Sequence, residues 1–361
     1  MKPDIILKTL RQAGFEAWYV GGCVRDSLLG RPIHDWDVTT SALPEQVMAC
    51  FEKCIPTGIR HGTVTVLAER GQAEVTTYRT DGDYPDGRHP AQVTFVRSLE
   101  EDLARRDFTV NAMAMNEAGE IVDLYGSRED LQNRLLRCVG DPELRFREDA
   151  LRMLRAIRFS AQLGFEIETK TRNAMNRLGN LCCGLSAERI RDELEKTLLS
   201  PNPGKVEEIV KLGLPLEFGF SEGADYALLS KIPAERVVRW AGLCRIHPQL
   251  SLADLRLDKA TAQDAMIAGR VVFPKDRLGW KHLVAENGAR RASIAAALAG
   301  EQQRMEEILS SGECLSLKDL AVTGKDFPNL KGRELGDHLQ MLLYHVLAHP
   351  NDNKREILKN F

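Results

Sequence analysis

Residues 19–41 read YVGGCVRDSLLGRPIHDWDVTTS, with a double glycine, an Arg-Asp pair and an Asp-Trp-Asp in close succession. A strand over 35–39 places Asp35 and Asp37 on one face and Trp36 on the other, because side chains alternate along a strand. Two hard oxygen ligands a few ångströms apart suit Mg2+, which keeps its other positions for water and phosphate. Just upstream, Gly21 and Gly22 follow a strand and precede a helix over 24–29. Glycines there let backbone N–H groups approach an anion, and the helix dipole favours it. Arg25 adds a forked donor. Alone, D-x-D is a solvated strand edge and G-G a turn. In this order and spacing they read as a triphosphate cradled beside metal ions, the chemistry of nucleotidyl transfer.

Working outward, the chain has 361 residues, more than one hydrophobic core usually organises, so two or more structural units are expected. Hydrophobic residues make up 43%, as in a folded soluble protein. No run of about 18 apolar residues suggests a membrane span, and Met-Lys-Pro-Asp lacks the layout of a signal peptide, so a cytoplasmic protein without membrane contact is expected. The eight cysteines show neither C-x-x-C spacing nor the density of a secreted scaffold, which favours buried, reduced thiols over zinc. A net charge of −3 means that any polyanion is held by a local basic stripe rather than by bulk charge.

The first 140 residues alternate short β-rich runs with turns: 16–20, 35–39, 62–68, 73–79, 93–96 and 108–115, with helices over 1–13 and 44–54. Residues 81–90, DGDYPDGRHP, are too rich in Gly, Pro and Asp for an element and read as a loop. From 141 onward helical patterns dominate, with strong helices over 148–163, 187–199 and 337–347. There is no internal repeat and no low-complexity segment. The fold class expected is a mixed α/β head followed by an all-α remainder.

Several stretches carry a family resemblance. GGCVRDSLLGRPIHDWDVTTSALPE, IRHGTVTV, EEDLARRDFTVNAMAMN, DLYGSREDL and RFREDALRMLRAIRFSAQLGF resemble the successive motifs of bacterial-type, class II tRNA nucleotidyltransferases. These CCA-adding enzymes share a superfamily with bacterial poly(A) polymerases and, more distantly, polymerase beta. The resemblance is dense over 15–200, thins through the middle and returns at 320–347. It implies a polymerase beta-like nucleotidyltransferase head at 1–140, a helical neck with a base-recognition helix at 141–200, a helical body at 201–295 and a tRNA-binding tail at 296–361, in an elongated molecule. It also implies Mg2+-dependent, template-independent addition of C, C and A to the tRNA 3′ end from CTP and ATP, by a monomer or a homodimer.

By the same resemblance Arg106 contacts nucleotide phosphates, while Asp107 and Asn111 hold the loop or bind ribose. Arg105 reads as solvated, balanced by Glu100, Glu101 and Asp102, with Ser98 to Glu101 as a capping box ahead of them. Asp149 and Arg152, three apart on one helix face with Glu148 bracing Arg152, offer an acceptor beside donors. Cytosine and adenine present an exocyclic amine where uracil and guanine present a carbonyl, so the pair selects C and A without a nucleic-acid template. An ordinary surface ion pair is the alternative for E-D-x-x-R standing alone. Arg155 and Arg158 extend an arginine stripe suited to phosphate or primer contacts, or to a solvated face. The charges of 188–193 read as structural pairs within one helix, and Glu74 as a weaker candidate for a third carboxylate near the ions.

Three rivals differ from full CCA addition. One is split labour, adding only CC or only A: by the resemblance, enzymes adding only CC have lost a flexible loop that residues 81–90 retain, so A-only addition is the nearer variant. A poly(A) polymerase shares the head, but KCIPTGIRHGTVTV resembles the CCA-adding version. A non-catalytic RNA-binding relative would not need Asp35, Asp37 and Arg25 together. His34-Asp35 is an H-D dipeptide without companion histidines, which argues against a fused metal phosphohydrolase.

Overall fold

The computed structural model describes residues 3–68, 71–81, 93–96, 98–214, 218–221 and 223–361. The chain forms two compact units: Met1–Thr197 with Lys205–Pro215, and Leu198–Gly204 with Leu216–Phe361. The expected loop at 81–90 lies outside the described residues apart from the backbone of Asp81.

The first unit is built on a mixed seven-stranded sheet. Its strands are β1 (Ala17–Val20), β2 (Asp37–Thr40), β3 (Cys54–Gly58), β4 (Thr63–Ala68), β5 (Gly71–Thr77), β8 (Met113–Met115) and β9 (Ile121–Asp123), in the order β3-β4-β5-β2-β1-β8-β9. Strands β6 (Arg79–Asp81) and β7 (Val93–Phe95) form a separate hairpin pair. Only β2 and β5 in the large sheet pair in parallel; the other neighbours are antiparallel.

One face carries Tyr19, Val38, Val64 and Val75, all buried, and packs toward α1 (Asp4–Gln12) and α3 (Pro44–Cys50). Helix α1 presents Ile6, Leu7 and Leu10 to this core, the i, i+1, i+4 spacing of one apolar face. The opposite face carries Val20 and Ala114 and is covered by Leu103 and Leu99 of α4 (Leu99–Ala104). Period two puts Asp37 and Thr39 on this second face, and Thr39 Oγ1 donates to Asp102 Oδ2 of α4 at 3.1 Å. The functional face of the sheet is therefore the one under α4.

Four of the departures from the expected boundaries have a clear local reason. The strand expected over 35–39 starts at Asp37, because the ladder to β5 opens with the Glu74 N–H donating to the Trp36 carbonyl and Asp35 has no rung. The helix expected over 44–54 ends at Cys50; β3 follows as an edge strand, where Pro56 needs no donor. Residues 108–115 are not one strand: after a bridge from Phe108 to Cys138 the chain makes a 3-10 turn, Thr109–Asn111, before β8. The helix expected over 148–163 is two: α6 (Pro142–Glu148) and α7 (Leu151–Leu163). Asp149 takes extended backbone and its Oδ1 accepts the Leu151 N–H at 3.0 Å, so its side chain caps α7 instead of continuing α6. Ser98, expected to cap α4, makes no side-chain cap bond.

Beyond α7 the first unit adds α8 (Thr169–Leu178), most of α9 (Ala187–Leu198) and α10 (Val206–Lys211). The second unit is helical. Its largest packed set comprises α12 (Arg236–Ile246), α13 (Lys259–Arg270), α14 (Arg277–Asn287), α15 (Ala289–Ala299), α16 (Gln302–Ser310) and α17 (Gly332–Ala348). Trp240 and Trp280 are fully buried in this unit. Helices α12 and α13 approach so closely that a Cβ on Gly269 would lie 2.5 Å from the Ala241 carbonyl oxygen. Lys281 Nζ donates to the Leu347 carbonyl at 3.1 Å and ties α14 to α17. The eight cysteines form no disulfide, and Cys23, Cys138, Cys182, Cys244 and Cys314 are buried. Among the described residues no helix is long and apolar enough to cross a membrane.

Candidate active site

The first unit holds a cavity of about 530 Å3 whose lining includes Gly21, Gly22, Arg25, Asp37, Arg106, Asp149, Arg152 and Arg155. Three elements deliver them: the turn from β1 into α2 (Gly22–Leu28), the start of β2 with the end of α4, and the α6–α7 junction. Arg79, Arg105, Asp107, Asn111, Leu151, Phe159 and Arg189 complete the wall. Seven arginines face three aspartates, a surplus of fixed positive charge suited to a polyphosphate.

At one end Gly21 turns the chain with φ +72°, a conformation favouring glycine. A Cβ there would stand 3.2 Å from Arg106 Nη1 and 3.7 Å from Asp37 Oδ2. The missing side chain leaves space between the cation and the carboxylate. Burial first, then the charge of Glu74, raises the Asp37 carboxyl to about 6; Arg106 opposes this and Asp35 adds to it. Glu74 is the direct β5 neighbour of Asp37. Acidic groups that repel one another in a half-buried place, with hard oxygen donors, fit a divalent cation. Among the described residues no cluster of three or more His, Cys, Asp or Glu is arranged to hold a metal ion.

Arg105 and Arg106 are not a solvated face. Both bond the fully buried Asp102, Arg105 at 2.8 Å and Arg106 at 3.1 Å, and both line the cavity. Burial alone would raise the Asp102 carboxyl, but Arg106 and Arg105 outweigh it and hold it below the ordinary value. Asp102 stays ionised beneath the pair and aims both guanidinium groups.

A hydrogen-bonded chain crosses the floor. Asp26 takes the fork of Arg25; Arg25 Nη1 donates to Asn111 Oδ1 at 2.7 Å; Asn111 Nδ2 donates to Asp107 Oδ1 at 3.2 Å; and Arg155 Nε donates to Asp107 Oδ2 at 2.8 Å. Burial would raise the Asp107 carboxyl, yet the charge and hydrogen bonds of Arg155, with Asn111 and the Phe108 N–H, bring it down to about 2. The 3-10 turn at 109–111 exists to place Asn111 between Arg25 and Asp107. Arg25 and Arg155 thus reach the cavity as pre-oriented cations.

Asp149 and Arg152 both line the cavity, although they do not share one helix as expected. Glu148 braces Arg152 as expected, and the carbonyls of Arg145 and Arg105 take two more of its donors at 3.2 and 3.3 Å. Two site candidates do not line the cavity. Arg158 does not line the cavity: it is buried against Glu193 of α9 and stacks 3.9 Å from the Phe159 ring centre. Asp35 is exposed, one residue outside the β2 ladder, and acts on Asp37 through its charge. Glu74 and Arg189 exceed what their sequence signals promised, Glu74 by register with Asp37 and Arg189 by reaching Asp149 at 2.8 Å.

Comparison with known proteins agrees with this architecture. Residues 17–137 match the poly A polymerase head domain, and 164–218 match a probable RNA- and SrmB-binding site of polymerase A. The CCA-adding enzyme of Anoxybacillus flavithermus is 40% identical, covering 99% of this chain and 95% of that protein. That of Geobacillus thermodenitrificans is 41% identical over 93% of this chain and 90% of its own. The crystal structure of the Bacillus stearothermophilus CCA-adding enzyme in complex with CTP superimposes with a TM-score of 0.85 at 35% identity, covering 100% of this chain and 97% of that one. With these relatives, the chain belongs to the family of CCA-adding enzymes, the tRNA nucleotidyltransferases.

Proposed function

We propose that the chain's addition of C, C and A to the 3′ end of tRNA runs through the cavity of the first unit, with CTP and ATP as donors and release of pyrophosphate. The observation that carries this reading is the convergence in one cavity of Asp37, a cationic wall and the Asp149–Arg152 pair. Enzymes of this family depend on a divalent metal, and we read it here as Mg2+ held by Asp35 and Asp37. When bound, such an ion supplies Lewis-acid activation of the attacking hydroxyl and neutralises charge at the α-phosphorus.

The chain's own residues do the rest. Gly21 and Gly22 keep side chains away from the polyphosphate. Arg25, Arg106 and Arg155, fixed by Asn111, Asp102 and Asp107, bind and orient it without having to be ordered at the moment of reaction. Asp149 accepts from the exocyclic amine of cytosine or adenine and Arg152 donates to the adjacent ring edge; uracil or guanine would set a carbonyl against Asp149. In this reading residues 1–140 carry the chemistry, 141–200 choose the base, and the body at 201–295 and tail at 296–361 hold the tRNA. The protein works in the cytoplasm, where its substrates are.

The test supplies purified protein with tRNA lacking its last three nucleotides, Mg2+ and each labelled nucleoside triphosphate in turn. Two cytidylates followed by one adenylate are expected. Adenylate alone on tRNA ending in CC would identify A-only addition, and long A tails on generic RNA a poly(A) polymerase.

A further inference from the structure

Asp149 and Arg152 carry opposite charges three residues apart in one cavity, yet each is bonded to something else. Arg152 is held by Glu148 and two carbonyls. Asp149 Oδ1 accepts the Leu151 N–H, and Oδ2 accepts Arg189 Nη2 of α9 at 2.8 Å. Both partners of this second ion pair are largely shielded, with side chains 17% and 15% exposed, and Arg189 lines the same cavity. Opposite charges in one cavity attract, so a partner that holds Asp149 apart from Arg152 keeps the acceptor and donors free for base reading.

We propose that Arg189 is a positioning residue for nucleotide choice: it anchors one oxygen of Asp149, fixing the carboxylate plane and keeping it off Arg152. A carboxylate oxygen has two lone-pair sites, so Oδ2 accepts from Arg189 and retains capacity for an exocyclic amine. A held acceptor also cannot rotate away from the carbonyl of uracil, so the same ion pair sharpens rejection. The inference rests on the reading of Asp149 and Arg152 as base-edge readers, and its substrate class is the same pair of nucleotides.

The experiment compares Arg189→Ala, Arg189→Lys, Asp149→Ala and the Arg189→Ala/Asp149→Ala double variant, full length, by kcat/KM for CTP and UTP on tRNA lacking its last three nucleotides. Arg189→Ala is expected to lower the CTP-over-UTP ratio about tenfold, chiefly through KM, with Arg189→Lys recovering most of it. The double variant is expected to match Asp149→Ala alone, because Arg189 acts through Asp149. An unchanged ratio in Arg189→Ala, or additive losses in the double variant, overturns the inference while leaving the base-reading assignment standing. An unchanged ratio in Asp149→Ala instead removes the assignment itself. Thermal melts accompany each assay; should Arg189→Ala be unfolded, Arg189→Gln supplies the same comparison.

Discussion

Asp37 lies directly across from Glu74 in the parallel pairing of β2 and β5, so two carboxylates share one rung of the sheet. Burial and this neighbour make the folded protein hold the Asp37 proton more tightly than the unfolded chain does, with the carboxyl raised from 3.8 to about 6. A raised acid contributes its stability at low pH and loses it as pH rises through about 6. Replacing Asp37 by Asn is therefore expected to stabilise the protein at neutral pH, by about 1–3 kcal/mol in the presence of a chelator, while incorporation of CMP is lost. Thermal denaturation with and without divalent ion, beside a CMP assay, checks both halves.

The same carboxyl sets a pH dependence. Below about 6 a proton competes with any cation for Asp37. Divalent-ion affinity is expected to fall about tenfold per pH unit once below that value, whereas Asp107, held near 2, stays ionised throughout the range. Titration of turnover against metal concentration at pH 5, 6 and 7 would show the required concentration rising as pH drops. A flat requirement would contradict the raised carboxyl.

Asp107 is the counter-charge that aims Arg155. Its carboxyl is held down, so its contribution to stability is complete above about 4 and disappears as pH falls through about 2. Asp107→Asn leaves the Arg155 guanidinium with a weaker acceptor and is expected to cost about 1–3 kcal/mol, since Arg155 keeps access to water. The KM for CTP should rise in parallel. Denaturant midpoints and initial rates measure the two effects.

In the helical unit Gly269→Ala would place a methyl 2.5 Å from the Ala241 carbonyl oxygen and 3.1 Å from Cys244 Cβ. Neither backbone nor buried thiol can move freely in a packed interface, so a loss of about 1–3 kcal/mol is expected, read as a lowered denaturant midpoint. Gly213, with nothing within 4 Å but φ +83°, provides a contrast in which only backbone strain operates.

What the sequence revealed depended on how local the chemistry is. The double glycine, the D-x-D and the R-R-D keep their meaning within a few residues, and each reaches the cavity in part or whole. The helix break at Asp149 was hidden because E-D-A-L-R has good helical spacing; the extended backbone of Asp149 and the bond from its Oδ1 to the Leu151 N–H mark where one helix ends and the next begins. Arg158 misled because an arginine every third residue cannot say which member turns inward, and its partner Glu193 lies on another helix. Arg189 was masked by local charge pairing: Arg191 of that stretch pairs with its neighbour Asp192, while Arg189 reaches 40 residues back to Asp149. Strand β3 escaped because Pro and Gly argue against a strand except at a sheet edge.

The most direct test is manganese binding by the intact protein with CTP, followed by paramagnetic resonance, in wild type and in Asp35→Ala and Asp37→Ala, each shown by circular dichroism to be folded. The account predicts that both substitutions weaken the bound-ion signal and abolish CMP and AMP incorporation. Undiminished binding with retained turnover in either variant would contradict it.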